Sequence, residues 1–288
     1  GWPMSTADYG LLNNPAISMN SFYPRRNGTP TPPGAEDHAI DVAEGIQLSC
    51  RFFPAGQSAS KAASEEGGTD AAPGNDKGDG AGNENPTILF FYGNGETSGD
   101  YDGIAPLYNG IGVNFFVADY RGYGGSGGEP EFNSMLSDTL KVLTRMTKIM
   151  EEVGYSGGIY VMGRSMGRHA AFEIAANSPG GVQGMIIESG RPTLGQFING
   201  IEESAALALE QDYRAKVASI SIPALVIHGE MDTLAPVGDA VSMYESLAST
   251  HKRLLTIPGA GHNDLLYVGI NEYMNAIRDF VSPGSAAA

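Results

Sequence analysis

The chain has 288 residues, of which 41% are apolar, enough for one large core in a single α/β domain. Its formal net charge of -16 argues against nucleic acid and anionic membrane surfaces as partners. A single cysteine, Cys50, excludes an intrachain disulfide and a cysteine-based metal cluster. The sequence contains no apolar run of about 18 residues, so a membrane span is not predicted. The five histidines lack the spacing of paired metal ligands, so neither a metal nor another cofactor is predicted.

The first residues, GWPMSTADYG, lack the basic and apolar segments of a secretory signal. Together with the single thiol, this favours a cytoplasmic location, and a signal peptide already removed stays open as the alternative. The sequence leaves the oligomeric state open.

In chain order, residues 1–37 are rich in Asn, Pro and Ser and predict an irregular N-terminal arm that packs through Phe22 and Tyr23. Residues 38–53 predict a β-hairpin around Glu44-Gly45. Residues 54–85 contain almost no large apolar side chain, so their burial cannot offset the entropy lost on ordering. They predict a mobile low-complexity loop between two strands.

From residue 87 onward, predicted strands and helices alternate. Strands separated by helices indicate a mostly parallel sheet with helices on both faces, so residues 38–283 predict one α/β domain, followed by a tail at 284–288. The strands are predicted at 87–92, 114–118, 158–162, 182–187, 223–228 and 252–257, and the helices at 135–153, 165–177, 193–219, 236–248 and 264–281.

Ser165 stands between Gly163 and Gly167 in YVMGRSMGRHAAF, where a predicted strand changes into a predicted helix. In parallel sheets the chemistry lies at the carboxyl ends of the strands. Glycines without Cβ atoms permit a tight turn that exposes the serine hydroxyl to a substrate. The alternative is that Ser165 is only a helix N-cap.

A serine hydroxyl needs a base to accept its proton, and the base needs an acid to orient it. Asp232 follows the strand ending in VIHG, and His262 follows the strand ending in LLTI, so both are expected at the same sheet edge as Ser165. Glu230 competes with Asp232 for the role of the acid. Asp264 is interpreted as the cap of the last helix.

The segments GRSMG, HGEMDTLAP and GAGHNDL, in this order, resemble the α/β-hydrolase fold superfamily. With DYRGYGGSGG they are most similar to the BEM46-like serine hydrolases, over roughly residues 87–280. The resemblance implies a hydrolase acting on an acyl bond. In it Ser165 is the nucleophile, His262 is the general base and then acid, and Asp232 is the orienting carboxylate.

The transition state of acyl transfer needs donors for its oxyanion. One is expected from the backbone N–H of Met166, after the nucleophile, and the other from the backbone N–H of Asn94 in the loop FYGNGETSG. Tyr92 is a departure because the family has histidine there, which leaves the hydrogen bonds within this loop open. Arg168 is a second departure, at a position where a small residue is usual. It is expected to point outward or to reach Glu188 or Asp119.

In this superfamily cap insertions fall where residues 190–220 lie, so a small cap is expected there. Its apolar side chains either line an acyl pocket or cover the core: Leu194, Phe197, Ile198 and Leu207. The glycines of GYGGSG at 122–127 match a dinucleotide-binding pattern, but the acids of GEPEF that follow would repel a pyrophosphate.

The sequence therefore predicts a carboxylesterase-type serine hydrolase that cleaves a small-molecule ester or thioester through an acyl-enzyme, without a cofactor. Two alternatives stay open. One is an amidase or peptidase with the same triad. The other is a non-catalytic binding protein of the same fold, with residues 54–85 as its partner segment, which the departures at Tyr92 and Arg168 motivate.

Overall fold

The computed structural model describes residues 7–56, 83–177 and 180–282. Most of the loop predicted at 54–85, namely 57–82, and the tail at 284–288 lie outside the described residues. The described strands form one sheet in the order β1-β2-β4-β3-β5-β6-β7-β8. Their bounds are β1 Glu36–Ala43, β2 Ile46–Phe53, β3 Thr87–Phe91, β4 Asn114–Ala118, β5 Ile159–Arg164, β6 Val182–Glu188, β7 Ala224–Gly229 and β8 Lys252–Ile257.

The sheet has the mostly parallel character predicted for an α/β-hydrolase fold. The hairpin β1–β2 is antiparallel and joins the sheet antiparallel to β4, whereas β3 to β8 pair in parallel. Every residue of β3 and β4 is buried. Continuous apolar strands of this kind are stable where helices cover both faces, and the predicted fold class is confirmed.

Helices account for most of the segments between the strands. Their bounds are α1 Pro15–Ser21, α2 Ala105–Gly110, α3 Phe132–Glu152, α4 Arg168–Asn177, α5 Glu203–Ala218, α6 Val237–Ser246, α7 Leu265–Val268 and α8 Ile270–Val281. No helix in the described part of the chain is both long and apolar enough to cross a membrane.

Three segments differ from the sequence-based expectation. The arm is not irregular throughout, because Asn14 caps α1 by accepting a hydrogen bond from the N–H of Ala16. The helix predicted at 193–219 begins only at Glu203, after a 3-10 turn at Gly195–Ile198. The helix predicted at 264–281 is divided at Gly269, where a Cβ would lie 2.6 Å from Ile257 Cγ2.

Candidate active site

The turn from β5 into α4 holds Ser165 in a conformation that few non-glycine residues adopt. Its φ is +51°, in the left-handed region. The flanking glycines allow close backbone contact, because a Cβ at Gly163 would lie 2.5 Å from the carbonyl oxygen of Gly167. A Cβ at Gly167 would lie 2.0 Å from the carbonyl oxygen of Phe91. Ser165 is thus held on a sharp turn beside the end of β3.

Hydrogen bonds bring Ser165, His262 and Asp232 together. Ser165 Oγ lies 2.8 Å from His262 Nε2, and His262 Nδ1 lies 2.7 Å from Asp232 Oδ2. An ionised carboxylate can only accept, so Nδ1 carries the hydrogen and Nε2 is left to accept from the serine hydroxyl. The arrangement can pass a proton from Ser165 to His262.

Asp232 is buried and held in place by its own loop. Its Oδ1 accepts from the N–H groups of Leu234 and Ala235, at 2.9 and 2.7 Å. His228 fixes the same loop, since its Nε2 donates to the carbonyl oxygen of Ala235 at 2.7 Å. A carboxylate with this many donors stays oriented toward His262.

The two competing acids lie elsewhere. Glu230 is exposed and accepts from the hydroxyl of Thr256 at 2.9 Å. Asp264 stands at the N-cap position of α7, but its side chain accepts from the N–H of Gly261 at 2.6 Å and does not cap the helix. The interpretation of Asp264 as a helix cap was therefore wrong in its hydrogen bonding, because the carboxylate closes the loop that carries His262.

Two side chains donate hydrogen bonds to the main-chain carbonyl of His262. The hydroxyl of Ser189 donates to it at 2.9 Å, and Nη2 of Arg164 lies 3.4 Å from it. Arg164 also donates to the side-chain oxygen of Asn263. These contacts were not predicted from the sequence, because neither residue stands near His262 in the chain. The only sequence signal is that Arg164 precedes Ser165 and Ser189 follows the end of β6.

Arg164 is the centre of a partly buried ionic network. Its guanidinium lies 2.8 Å from Glu96 Oε2 and 2.9 Å from Glu188 Oε2. Burial raises the pKa of Glu188, and the nearby charge of Arg164 opposes that rise. Glu188 also accepts from the hydroxyl of Tyr273. The network joins the turn at Ser165 to the loop after β3, because Glu96 Oε2 accepts from the N–H of Gly93 at 2.6 Å.

The loop after β3 passes directly beside Ser165. A Cβ at Gly93 would lie 3.5 Å from Ser165 Cβ, so the next residue, Asn94, is within the same small region. Tyr92 is fully buried, and its hydroxyl donates to Asp119 at 2.6 Å. Asp119 also accepts from the N–H and the hydroxyl of Ser98, at 2.8 and 2.6 Å. Tyr92 and Ser98, at the two ends of this loop, are thus both hydrogen-bonded to the buried Asp119.

Arg168 is buried, which contradicts both expectations for it. Its Nη1 donates to the carbonyl of Ser165 at 3.0 Å and its Nη2 to the carbonyl of Thr193 at 2.9 Å. Gly195 leaves room for the side chain, because a Cβ there would lie 3.1 Å from Arg168 Nη2. Burial lowers the pKa of this guanidinium. Arg168 therefore connects the turn at Ser165 to the segment at 190–220 through hydrogen bonds, and it reaches neither Glu188 nor Asp119.

The apolar residues of the segment at 190–220 divide into two groups. Leu194 and Phe197 are fully buried, and the Phe197 ring centroid lies 5.0 Å from Phe22 and 4.9 Å from Phe132. Leu207, on α5, is 59% exposed. Phe197 and Leu194 therefore belong to the core. Among the described residues, no group of three or more His, Cys, Asp or Glu side chains could hold a metal ion.

Comparisons with known proteins identify the family and the fold of the chain. Residues 82–196 and 193–266 match the Hydrolase_4 family, described as serine aminopeptidase, S33. The uncharacterized protein YfhR of Salmonella typhi is 25% identical over 284 residues, which cover 92% of this chain and 87% of that protein. The protein bem46 of Schizosaccharomyces pombe is 26% identical over 208 residues, covering 68% and 67%.

Among solved structures, the fold is similar to that of the esterase Pf2001 of Pyrococcus furiosus. The TM-score is 0.65 at 18% identity, over 89% of this chain and 97% of that one. At this identity the likeness shows the fold, and the family match extends over more than half of the chain. The chain is therefore a BEM46-like α/β hydrolase and belongs to the Hydrolase_4 family.

Proposed function

We propose that the chain is a serine hydrolase that cleaves carboxylic esters or thioesters of small molecules through an acyl-enzyme on Ser165. The observation that supports this most directly is the continuous hydrogen-bond path from Ser165 Oγ through both ring nitrogens of His262 to Asp232. The left-handed backbone at Ser165 is a second support, because it is typical of a nucleophile presented on a strained turn.

In the first half of the reaction, Ser165 Oγ attacks the carbonyl carbon while its proton passes to His262 Nε2. Asp232 stabilises the resulting imidazolium without itself taking the proton. The oxyanion accepts hydrogen bonds from the backbone N–H groups of Met166 and Asn94. The bond to the leaving alcohol or thiol then breaks, and the leaving group takes the proton from His262.

In the second half, a water molecule gives a proton to His262 Nε2 and attacks the acyl-enzyme carbonyl. The tetrahedral intermediate uses the same two amide donors. Its collapse releases the carboxylic acid and returns the proton to Ser165. The cycle needs no cofactor because the base, the acid and the donors are groups of the chain itself.

Amide or peptide hydrolysis by the same residues is the second candidate. It is favoured by the description of the family as serine aminopeptidase, whereas the similar fold of Pf2001 carries the name esterase. The two leaving groups are separated by measuring turnover of p-nitrophenyl esters of increasing acyl length beside aminoacyl p-nitroanilides.

The first prediction concerns the nucleophile. Ser165→Ala should lower kcat/KM on short p-nitrophenyl esters by at least about 10⁴-fold, because the attacking oxygen is lost. A fluorophosphonate probe should add its mass at Ser165 in the parent protein and not in the variant. Ser137→Ala removes a hydroxyl from the exposed surface of α3 and should leave turnover unchanged.

Undiminished turnover by Ser165→Ala would reject the assignment. A folded parent protein that neither reacts with the probe nor hydrolyses any ester or anilide would favour the non-catalytic binding protein.

A further inference from the structure

The side chain of Asn94 is held by residues distant from it in the chain. Its Nδ2 donates to the carbonyl of Ser21 at 2.7 Å. Its Oδ1 accepts from the N–H of Tyr23 at 3.0 Å and from the hydroxyl of Tyr123 at 2.6 Å. Three of the four hydrogen-bonding positions of this amide are thus occupied. Such a side chain has little freedom to rotate, although it belongs to a turn that precedes Gly95 at φ +79°.

The arm segment that holds Asn94 packs on the body through Phe22, whereas Tyr23, which was also predicted to pack, is 60% exposed. Phe22 is 3% exposed, and its ring centroid lies 6.5 Å from Tyr123 and 5.0 Å from Phe197. The carbonyl of Ser21 also accepts from Nε2 of Gln196 at 3.4 Å. The arm therefore joins the loop after β3 to the segment at 190–220, and Asn94 is fixed to the body of the protein through it.

Tyr123 gives the most direct support to Asn94. The ring is fully buried and its hydroxyl also accepts from the N–H of Tyr23 at 3.1 Å. Burial raises the pKa of Tyr123, so its hydroxyl keeps its proton and can donate to Asn94 at any ordinary pH. The contact is a short, partly buried hydrogen bond at 2.6 Å between a fully buried tyrosine and a half-buried asparagine.

We infer that the Asn94 side chain, held by Ser21, Tyr23 and Tyr123, is a positioning group for the oxyanion donor formed by the Asn94 backbone N–H. The inference rests on the proposed function, which assigns that N–H to the oxyanion. Donors of this kind are effective because they already point to where charge develops. The side chain and the N–H belong to one residue, so a fixed side chain limits rotation of the amide. The N-terminal arm is therefore part of the catalytic apparatus.

Two variants test the inference. Tyr123→Phe removes one donor to Asn94 and should lower kcat on p-nitrophenyl esters about tenfold. Asn94→Ala removes all three contacts and should lower kcat about 100-fold. KM should stay within about twofold of the parent value, because the oxyanion forms only in the transition state. The rate of phosphonylation by a fluorophosphonate should fall in the same order, since that reaction uses the same donors.

Tyr9→Phe is the matched control on the same arm. The Tyr9 hydroxyl donates to Asp212 at 2.6 Å, away from Asn94, so this variant should lose stability and keep the parent kcat. A purely structural arm would lower Tm in all three variants and leave kcat unchanged, which would overturn the inference. If Asn94→Ala does not fold, Tyr123→Phe decides alone.

Ser165→Ala is measured in parallel, so that two failures can be told apart. Loss of turnover in Ser165→Ala, with parent kcat in the Asn94 and Tyr123 variants, would refute the inference and leave the proposed function in place. Turnover that survives in Ser165→Ala would overturn both.

Discussion

Ser189 shows how one residue can hold the main chain of His262 without contacting its imidazole ring. Besides Ser165, it is the only non-glycine residue with positive φ in the described ranges, at +53°, and it is 1% exposed. Its N–H donates to the carbonyl of Ile227 at 3.0 Å, while its hydroxyl donates to the carbonyl of His262. A left-handed backbone costs a non-glycine residue about 1 kcal/mol or more. The hydrogen bonds to Ile227 and His262 hold Ser189 in this conformation, with its hydroxyl directed to the loop that carries His262.

The prediction is that Ser189→Gly and Ser189→Ala both lower kcat about tenfold, because both remove the donor that holds His262. Their stabilities should differ. Glycine accepts positive φ without strain, so the free energy of unfolding of Ser189→Ala should be lower than that of Ser189→Gly by about 1 kcal/mol. Steady-state kinetics and chemical denaturation measure the two effects.

Ser249→Ala is the control for Ser189. This buried hydroxyl donates to the carbonyls of Ile220 and Ile222, at 3.3 and 2.5 Å, in a region without candidate catalytic groups. Its loss should cost stability and leave kcat unchanged. Parent-like kcat in both Ser189 variants would show that Arg164 and Asp264 are sufficient to hold the histidine loop.

At the scale of elements, the sequence predicted the parallel strands well because each is a short apolar run between turn residues. The strands at 114–118 and 252–257 have the predicted bounds. The break at Gly269 was not predicted, because the close approach of Ile257 to the glycine is a contact between residues distant in the chain. The short helix α1 was missed because its sequence, PAISMNS, has too few residues to show a helical period.

The candidate site divides in the same way. Ser165, Asp232 and His262 could be named from the sequence, because each follows a strand and the carboxyl ends of parallel strands share an edge. The supporting contacts could not. Arg164, Glu96 and Ser189 act across neighbouring strand ends, and their roles depend on strand order and side-chain direction. Neither property is written in the local sequence.

The residues that flank the segment 57–82 meet at the amino end of β4, whereas Ser165 follows the carboxyl end of β5. Asn114, the first residue of β4, accepts at Oδ1 from the N–H of Ala55 at 2.9 Å and from Nδ2 of Asn83 at 3.1 Å. Asn83 also donates directly to the carbonyl of Ala55 at 3.2 Å. A short linker can therefore join the ends without disturbing the described strands.

We predict that replacing residues 57–82 by a Gly-Ser linker of about six residues leaves kcat and KM for esters unchanged. Closing a connection between two fixed ends costs about 0.6 kcal/mol less for each halving of its length, so two halvings should raise the free energy of unfolding by about 1 kcal/mol. A Gly-Ser segment of the parent length separates length from composition. Loss of turnover in a folded short-linker variant would mean that the segment serves the reaction.

For the whole molecule, the pH dependence of stability reflects groups that folding removes from water. His169 on α4 is fully buried between the rings of Phe132 and Phe197, and its Nδ1 lies 2.6 Å from the hydroxyl of Tyr213. Its Nε2 has no hydrogen-bond partner among the described residues. Burial, followed by the charges of Arg168 and Lys216, lowers the pKa of His169 well below its ordinary value.

The sign of the effect follows from this shift. The unfolded chain takes up a proton at His169 near pH 6.5, whereas the folded protein does so only at lower pH. Stability from the neutral histidine is therefore complete above about pH 6.5 and is lost as the pH falls toward the folded pKa, by up to about 1.4 kcal/mol per pH unit. The other titrating groups contribute equally to the parent protein and to a variant that changes His169 alone.

We therefore predict that His169→Gln, which keeps a polar group facing Tyr213, loses less stability than the parent between pH 6.5 and 5.5, by up to about 1 kcal/mol. Denaturant titrations at several pH values measure the difference. His251→Gln removes an exposed histidine and should follow the parent curve. Parallel curves for His169→Gln and the parent through this interval would contradict the prediction. They would mean that the folded protein can protonate His169 without losing stability, through water entry or local opening. The packing of α4 against Phe197 would then be looser than the burial of His169 indicates.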